Sequence, residues 1–312
     1  MKRNLFLLII GLMCGLAFAE IGLRVLNYPY IGCRKIIGVT ESKTGMFDPV
    51  LGWRYMPSKS TVVDGVTYTF NRERYRVGDI QDETDPSKPI IMIVGDSTLF
   101  GDGLDFPDTF GYKLEQATKG RYQVLNFSVQ GYGLDQIYLH LKQLVPMYKP
   151  KYVILDLIED QDYRDAITDR RLLFPCFTTS GTKPLFSLVA HNTLVQIRTP
   201  ETFQIYDTPR LRLVWRRMED AFREDYSDKQ ALSKVLYQHI RQYLGQQQTK
   251  LLQVNYQLDE RSYQLDTLHP DDSPMVASYS ADYTFPDGFH PNAKGMTRLV
   301  EDFLAKFASQ IQ

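Results

Sequence analysis

The chain has 312 residues, 43% of them hydrophobic, which is enough to bury the core of one large domain with or without a small appendage. Lys and Arg number 36 against 37 Asp and Glu, a formal net charge of -1, and this argues against nucleic acid as a main partner because phosphate binding needs a positive surplus. Three cysteines, Cys14, Cys33 and Cys176, are too few and too scattered for a zinc site or a disulfide framework. A single Cys33–Cys176 bridge and two unpaired thiols both stay open.

Lys2 and Arg3 precede an uncharged, mostly apolar run from Asn4 to Ala19, closed by Glu20. A positive head, a short apolar stretch and the small-x-small ending Ala17-Phe18-Ala19 mark an export segment covering residues 1–27. As a helix, the run from Leu5 spans only ~22 Å, short of the ~30 Å hydrocarbon core, so a retained anchor has to include Glu20. Two readings follow: an inner-membrane anchor with the remainder facing the periplasm, or a signal removed on secretion. In both, the basic end stays inside and the rest is exported.

Residues 28–88 are rich in Gly, Pro and polar side chains and are predicted as a small β-rich appendage. Within them, residues 61–70 read as a hairpin turning at Asp64-Gly65. The turn-forming run Asp85-Pro86-Ser87-Lys88-Pro89 marks the boundary.

From residue 89 to 312 the pattern is that of an α/β domain. Ile90-Ile91-Met92-Ile93-Val94 is a continuous apolar run ending at Gly95, the mark of a strand covered on both faces. A helix is predicted near 109–117, a strand at 122–127, a helix at 134–147 and a buried strand at 152–158. Residues 170–228 break the rhythm and read as an insertion with one helix, 211–226, carrying Leu211, Val214, Trp215, Met218 and Phe222 on one face. Core packing of Trp215 and Phe222 is the plainer reading, lining of an acyl pocket the sharper one. Arg210, Arg212, Arg216 and Arg217 read first as a solvated helix face, and otherwise as a contact for anionic lipid or an acidic glycan. A helix at 228–245, a strand at 251–256 and a helix at 293–310 complete the alternation, which predicts a parallel sheet with helices on both sides.

Two constellations carry chemistry. Gly95-Asp96-Ser97 sits where the first buried strand stops, and ligands of open parallel sheets bind beyond the carboxyl ends of the strands. Asp287-Gly288-Phe289-His290 places a carboxylate three residues before a histidine, so that Asp287 can hold Nδ1 and leave Nε2 free to take a proton from a serine hydroxyl. Ser97 is therefore the candidate nucleophile, His290 the candidate base and Asp287 its orienting carboxylate. His140, His191, His239 and His269 lack a comparable setting. The acidic residues Asp156, Glu159, Asp160, Asp162, Asp165 and Asp169 have neither a glycine turn nor EF-hand spacing, so no metal and no cofactor is expected.

The blocks Ile93-Val94-Gly95-Asp96-Ser97-Thr98, Asn126-Phe127-Ser128-Val129-Gln130-Gly131 and Asp287-Gly288-Phe289-His290-Pro291 resemble, in order, three of the four sequence blocks of the SGNH/GDSL hydrolase superfamily. The likeness covers roughly residues 89–165 and 228–308, and extends weakly into Leu51-Gly52-Trp53-Arg54, as in bacterial membrane-associated members. It implies a flavodoxin-like three-layer α/β/α sandwich and acyl-ester chemistry through Ser97, His290 and Asp287. It also implies an oxyanion hole built from the backbone N–H groups of Ser97 and Gly131 and an asparagine side chain. That asparagine is absent: aligned on the trailing Tyr163-Arg164-Asp165, its position is held by Gln161, which carries the same amide on a longer stem. The implied partner is an acyl-ester substrate, with O-acyl groups on an envelope glycan as the reading that follows from export. Acyl transfer through the same acyl-enzyme, or an envelope scaffold with weakened catalysis, are the alternatives.

Overall fold

The computed structural model describes residues 2–29, 44–158, 161–167, 181–189, 193–202, 208–222, 226–256, 275–277 and 280–311. A helix α1 (Lys2–Val25) opens the chain, followed by a hairpin of β1 (Gly45–Asp48) and β2 (Gly52–Tyr55) and by strands β3 (Lys59–Val63), β4 (Val66–Phe70) and β5 (Arg76–Val77). Then come β6 (Ile90–Val94), the one-turn helix α2 (Ser97–Phe100), α3 (Phe110–Ala117), β7 (Gln123–Asn126), α4 (Leu134–Tyr148), β8 (Tyr152–Ile158) and α5 (Gln161–Ala166). The remainder is the hairpin β9 (Leu185–Val189) and β10 (Thr193–Arg198), helices α6 (Arg210–Phe222) and α7 (Tyr226–Gln246), strands β11 (Lys250–Tyr256) and β12 (Met275–Ala277), and α8 (Ala293–Phe307).

The central sheet has eight strands in the order β12-β11-β8-β6-β7-β5-β4-β3. The first five are parallel, as the strand–helix alternation predicts. Alternate residues of β6 enter two separate cores, which explains its unbroken apolar run. Met92 and Val94 join Leu125, Val153 and Leu155 under α4 and α7, while Ile91 and Ile93 join Ile154, Leu252 and Val254 under α3 and α8. Each such fully buried Ile or Leu contributes roughly 1.5–3 kcal/mol. The three-layer sandwich follows from this two-sided burial.

The hairpin predicted at 61–70 is present, with Asp64 and Gly65 both at positive φ (51° and 85°), the two-residue turn that Asp-Gly favours. Its strands do not form a sheet of their own. Through β5, which pairs with β7 at Arg76↔Asn126, they extend the central sheet in antiparallel fashion, so the sheet is mixed. Arg76 secures the junction: buried, it donates to the carbonyls of Phe100 (3.0 Å), Gly101 (2.7 Å) and Leu104, and it stacks over Tyr68 and Phe100.

Helix α6 turns a different face inward from the one predicted. Trp215 is 63% exposed and Met218 45%, whereas Leu213, Arg210 and Arg216 are buried. The inward arginines meet specific partners: Arg210 donates to Pro29 O (2.9 Å) and Asn27 Oδ1 (3.0 Å), and Arg216 pairs with Glu201 (3.3 Å). Core packing of Trp215 and a solvated face for all four arginines are thus both corrected. The Phe222 side chain, Cys33 and Cys176, His191 and His269, and Glu159, Asp160 and Asp169 lie outside the described residues.

Candidate active site

Ser97 is the first residue of α2, directly beyond β6. Asp96 caps that helix, its Oδ1 accepting from Thr98 N at 2.9 Å, while its Oδ2 receives Arg164 Nη1 at 2.8 Å in a fully buried ion pair. Burial pushes the Asp96 carboxyl up, but Arg164, Asp156 and the Thr98 N–H outweigh it and hold Asp96 below its ordinary value. Asp156, on the adjacent strand, accepts from Asp96 N (3.1 Å) and Leu99 N (3.3 Å), fastening the turn from below. Burial and the neighbouring Asp96 charge push Asp156 well above the usual carboxylate range, so Asp96 is the ionised member of this pair. Asn126 completes the mount, its Nδ2 donating to Leu99 O at 2.8 Å.

The loop before α8 brings the imidazole to this hydroxyl. Asn292 caps α8 through Gly295 N (3.0 Å), Phe285 N donates to His290 O (2.8 Å), and Gly288 takes the positive φ (71°) that the tight turn requires. Asp287 Oδ1 accepts from the backbone N–H groups of Phe289 (2.9 Å) and His290 (3.1 Å), leaving Oδ2 to accept from His290 Nδ1 at 2.8 Å. His290 Nε2 faces Ser97 Oγ at 2.9 Å. Residues 193 positions apart are thus within hydrogen-bond reach, with the hydroxyl donating to Nε2 of an imidazole whose Nδ1–H is held by Asp287.

The charges around this chain of hydrogen bonds are matched. Burial pushes Asp287 up, but the bonds from the His290 ring and from two backbone N–H groups prevail and hold it at about 2. Burial lowers His290, yet the Asp287 bond and the fields of Asp102, Asp287 and Asp96 raise it above its ordinary value. Phe289 packs edge-on against the imidazole, at 4.6 Å between centroids. Asp287 remains 48% exposed, so the rim of the site is open.

The ladder between β6 and β7 continues past both strands, with Phe127 N donating to Ile93 O (2.9 Å) and Val129 N to Gly95 O (3.0 Å), so that the loop carrying Gly131 runs alongside the serine turn. Among the described residues, neither Ser97 N–H nor Gly131 N–H has a protein acceptor. Gln161, the first residue of α5, is buried and directs its Nε2 to Asp165 Oδ1 at 3.4 Å, a partner the sequence did not suggest.

Several residues at the site were not singled out from sequence. Asp156 was read only as part of an acidic cluster, Arg164 only as an alignment landmark, and Asp102 not at all. Beneath them lies a buried polar network. Asp165 accepts from Leu134 N (2.6 Å) and Ser233 Oγ (2.5 Å), and Asp135 pairs with Lys183, both completely buried. Burial and the Asp135 charge push Asp165 up to about 7. A carboxylate on a strand flanked by apolar residues, such as Asp156 in Tyr152–Ile158, was the available signal.

No family model matches the chain, and no curated protein does. Solved structures similar to it include the psychrotrophic esterase EstA from Pseudoalteromonas sp., at 12% identity over 72% of this chain and 98% of that one, TM-score 0.42. The acetylxylan esterase Axe2 from Geobacillus stearothermophilus, in a catalytic mutant form, is 12% identical over 70% of this chain and 93% of that one, TM-score 0.38. AlinE4, an SGNH-hydrolase family esterase, is 14% identical over 73% of this chain and all of the other, TM-score 0.36. The chain is similar in structure to these esterases, as its three ordered sequence blocks are similar to those of the SGNH/GDSL hydrolases.

Proposed function

We propose that the protein is a membrane-anchored serine esterase that cleaves acyl esters through Ser97, His290 and Asp287. The observation that carries this reading is the unbroken sequence Ser97 Oγ to His290 Nε2 (2.9 Å) and His290 Nδ1 to Asp287 Oδ2 (2.8 Å). As the serine oxygen attacks the ester carbonyl, His290 takes its proton, and Asp287 stabilises the imidazolium that forms. The developing oxyanion is received by the N–H groups of Ser97 and Gly131. Gln161 is the proposed third donor: its amide carries two N–H groups, one of which is spent on Asp165. His290 then returns the proton to the leaving alcohol, and a water molecule, deprotonated by the same imidazole, hydrolyses the acyl-serine.

Location and access narrow the substrate. Helix α1 runs unbroken to Val25, about 35 Å over the span from Arg3, which is enough to cross a bilayer. Glu20 accepts from the backbone N–H groups of Arg210 (2.9 Å) and Leu211 (3.0 Å), which ties the end of this helix to the rest of the fold, and with the length of the span we read it as a retained anchor with the catalytic domain in the periplasm. An open rim at Asp287 suits a bulky alcohol, so the proposed substrate is an O-acyl group on an envelope carbohydrate. The full chain in detergent is expected to release p-nitrophenol from its acetate ester, and Ser97→Ala to abolish the release; equal rates for the two proteins would refute the assignment.

A further inference from the structure

Helix α6 belongs to the insertion, far in sequence from α1, yet it starts where the anchor ends. Besides the Glu20 contacts, Arg210 grips Pro29 O and Asn27 Oδ1, and the Arg217 guanidinium lies 5.8 Å from the centre of the Tyr28 ring. Glu20 is bonded to Arg24 (2.7 Å) as well as to the α6 backbone. Glu20 lies five residues, about 8 Å, short of Val25, where the membrane-crossing span ends, and its bonds to Arg24 and two backbone N–H groups offset the cost of that depth. The first turn of α6 must then lie at that same depth.

Trp215 lies five residues further on, about 8 Å along the helix axis, and because Arg217 meets Tyr28 this step runs in the direction of α1 and brings Trp215 level with Val25 and the headgroup layer. At that level α6 turns outward Arg212, Trp215 and Met218 on one face, while Arg217 projects on the side of Arg210 and Leu213, toward Tyr28. An exposed tryptophan and arginine on one helix face are favoured at a membrane interface, where the ring is half-dehydrated and the guanidinium meets phosphate. Beside this face is a cleft of about 650 Å³ lined by Arg198, Arg212, Trp215, Arg216, Glu201 and Glu219 among others, and none of the triad residues borders it. Arg198 and Arg216 are paired across it with Glu219 and Glu201, so the cationic surplus comes from Arg212.

We propose that this face of α6 binds the headgroups of anionic phospholipid and so holds the catalytic domain against the bilayer surface. The inference rests on the anchor reading and is independent of the esterase reading. It is tested on the full chain in nanodiscs of phosphatidylcholine, alone or mixed with phosphatidylglycerol, using lipids brominated on their acyl chains as quenchers. The chain has two tryptophans, and Trp53 is buried, so subtracting the signal of Trp215→Phe isolates Trp215. Trp215 emission should shift to the blue and be quenched in the phosphatidylglycerol discs, and added salt should reverse both changes. Arg212→Gln should lower the docked-to-free ratio about fivefold, leaving ester hydrolysis in detergent unchanged. Unquenched emission in both discs overturns the proposal, as does equal quenching in both. A blue shift produced by inorganic phosphate in detergent, without quenching in discs, would assign the site to a soluble anion and overturn it too. Release of the chain from membranes by alkaline carbonate would sink the anchor reading separately.

Discussion

Asp156 occupies the space that a side chain at Gly95 would need: a β-carbon built on Gly95 lies 1.7 Å from Asp156 Oδ1. The glycine two residues before Ser97 is therefore required by a carboxyl group on the neighbouring strand, and that carboxyl in turn holds the N–H groups of Asp96 and Leu99. Gly95→Ala should displace Asp156 and the serine turn with it. A misplacement of about 1 Å near reacting atoms costs on the order of 10²-fold, and that is the expected loss in kcat/KM. Gly95→Ala combined with Asp156→Ala should be more active than Gly95→Ala alone, since the clash is gone. A double variant no better than the single one would show that the glycine is needed for another reason.

A general base must be neutral to accept a proton, and His290, the proposed base, is raised above its ordinary value of 6.5. Activity should accordingly rise with pH through a limb whose midpoint lies above 6.5. Asp102 contributes to that elevation without touching the imidazole; its carboxylate accepts from Tyr68 Oη (3.0 Å), which an asparagine oxygen can also do. Asp102→Asn should move the limb to lower pH while retaining most of the plateau rate. A pH–rate profile of kcat/KM for the two proteins reads the shift directly, and an unmoved limb contradicts the assignment.

Gln161 stands where the resemblance calls for asparagine, and its amide is engaged with Asp165. If the remaining N–H reaches the oxyanion, Gln161→Ala should lower kcat by about 10²–10³-fold with little change in KM. Labelling of Ser97 by a fluorophosphonate probe in the same variant shows whether the triad survives. A kcat close to wild type would remove Gln161 from the oxyanion hole and leave the two backbone donors.

Lys183, just before β9, is paired with Asp135 in the first turn of α4, with both side chains fully buried. Removing one partner of such a pair strands the other charge, at a cost of about 3–5 kcal/mol. Lys183→Met should destabilise the fold by that amount in chemical denaturation. The double variant Lys183→Met with Asp135→Leu should recover a large part of it, because no uncompensated carboxyl remains.

Local patterns carried much of this protein. The two-sided burial of Ile90–Val94, the Asp64-Gly65 turn and the Asp287-to-His290 spacing are written in short stretches of chain, since strand burial, turn geometry and a three-residue reach depend on near neighbours. Only the tertiary structure decided the rest. Asp156 becomes the support of Gly95 through the pairing of β8 with β6, and an isolated acidic residue in a strand does not announce which turn it will meet. The outward face of α6 was misread because periodicity ranks side chains by polarity, whereas Arg210 and Arg216 are buried by partners more than ten residues away. The extension of the sheet by β5 likewise rests on one bridge, Arg76↔Asn126, between segments fifty residues apart. Periodicity reports what a segment can bury; which neighbour buries it is settled by the long-range packing of the folded chain.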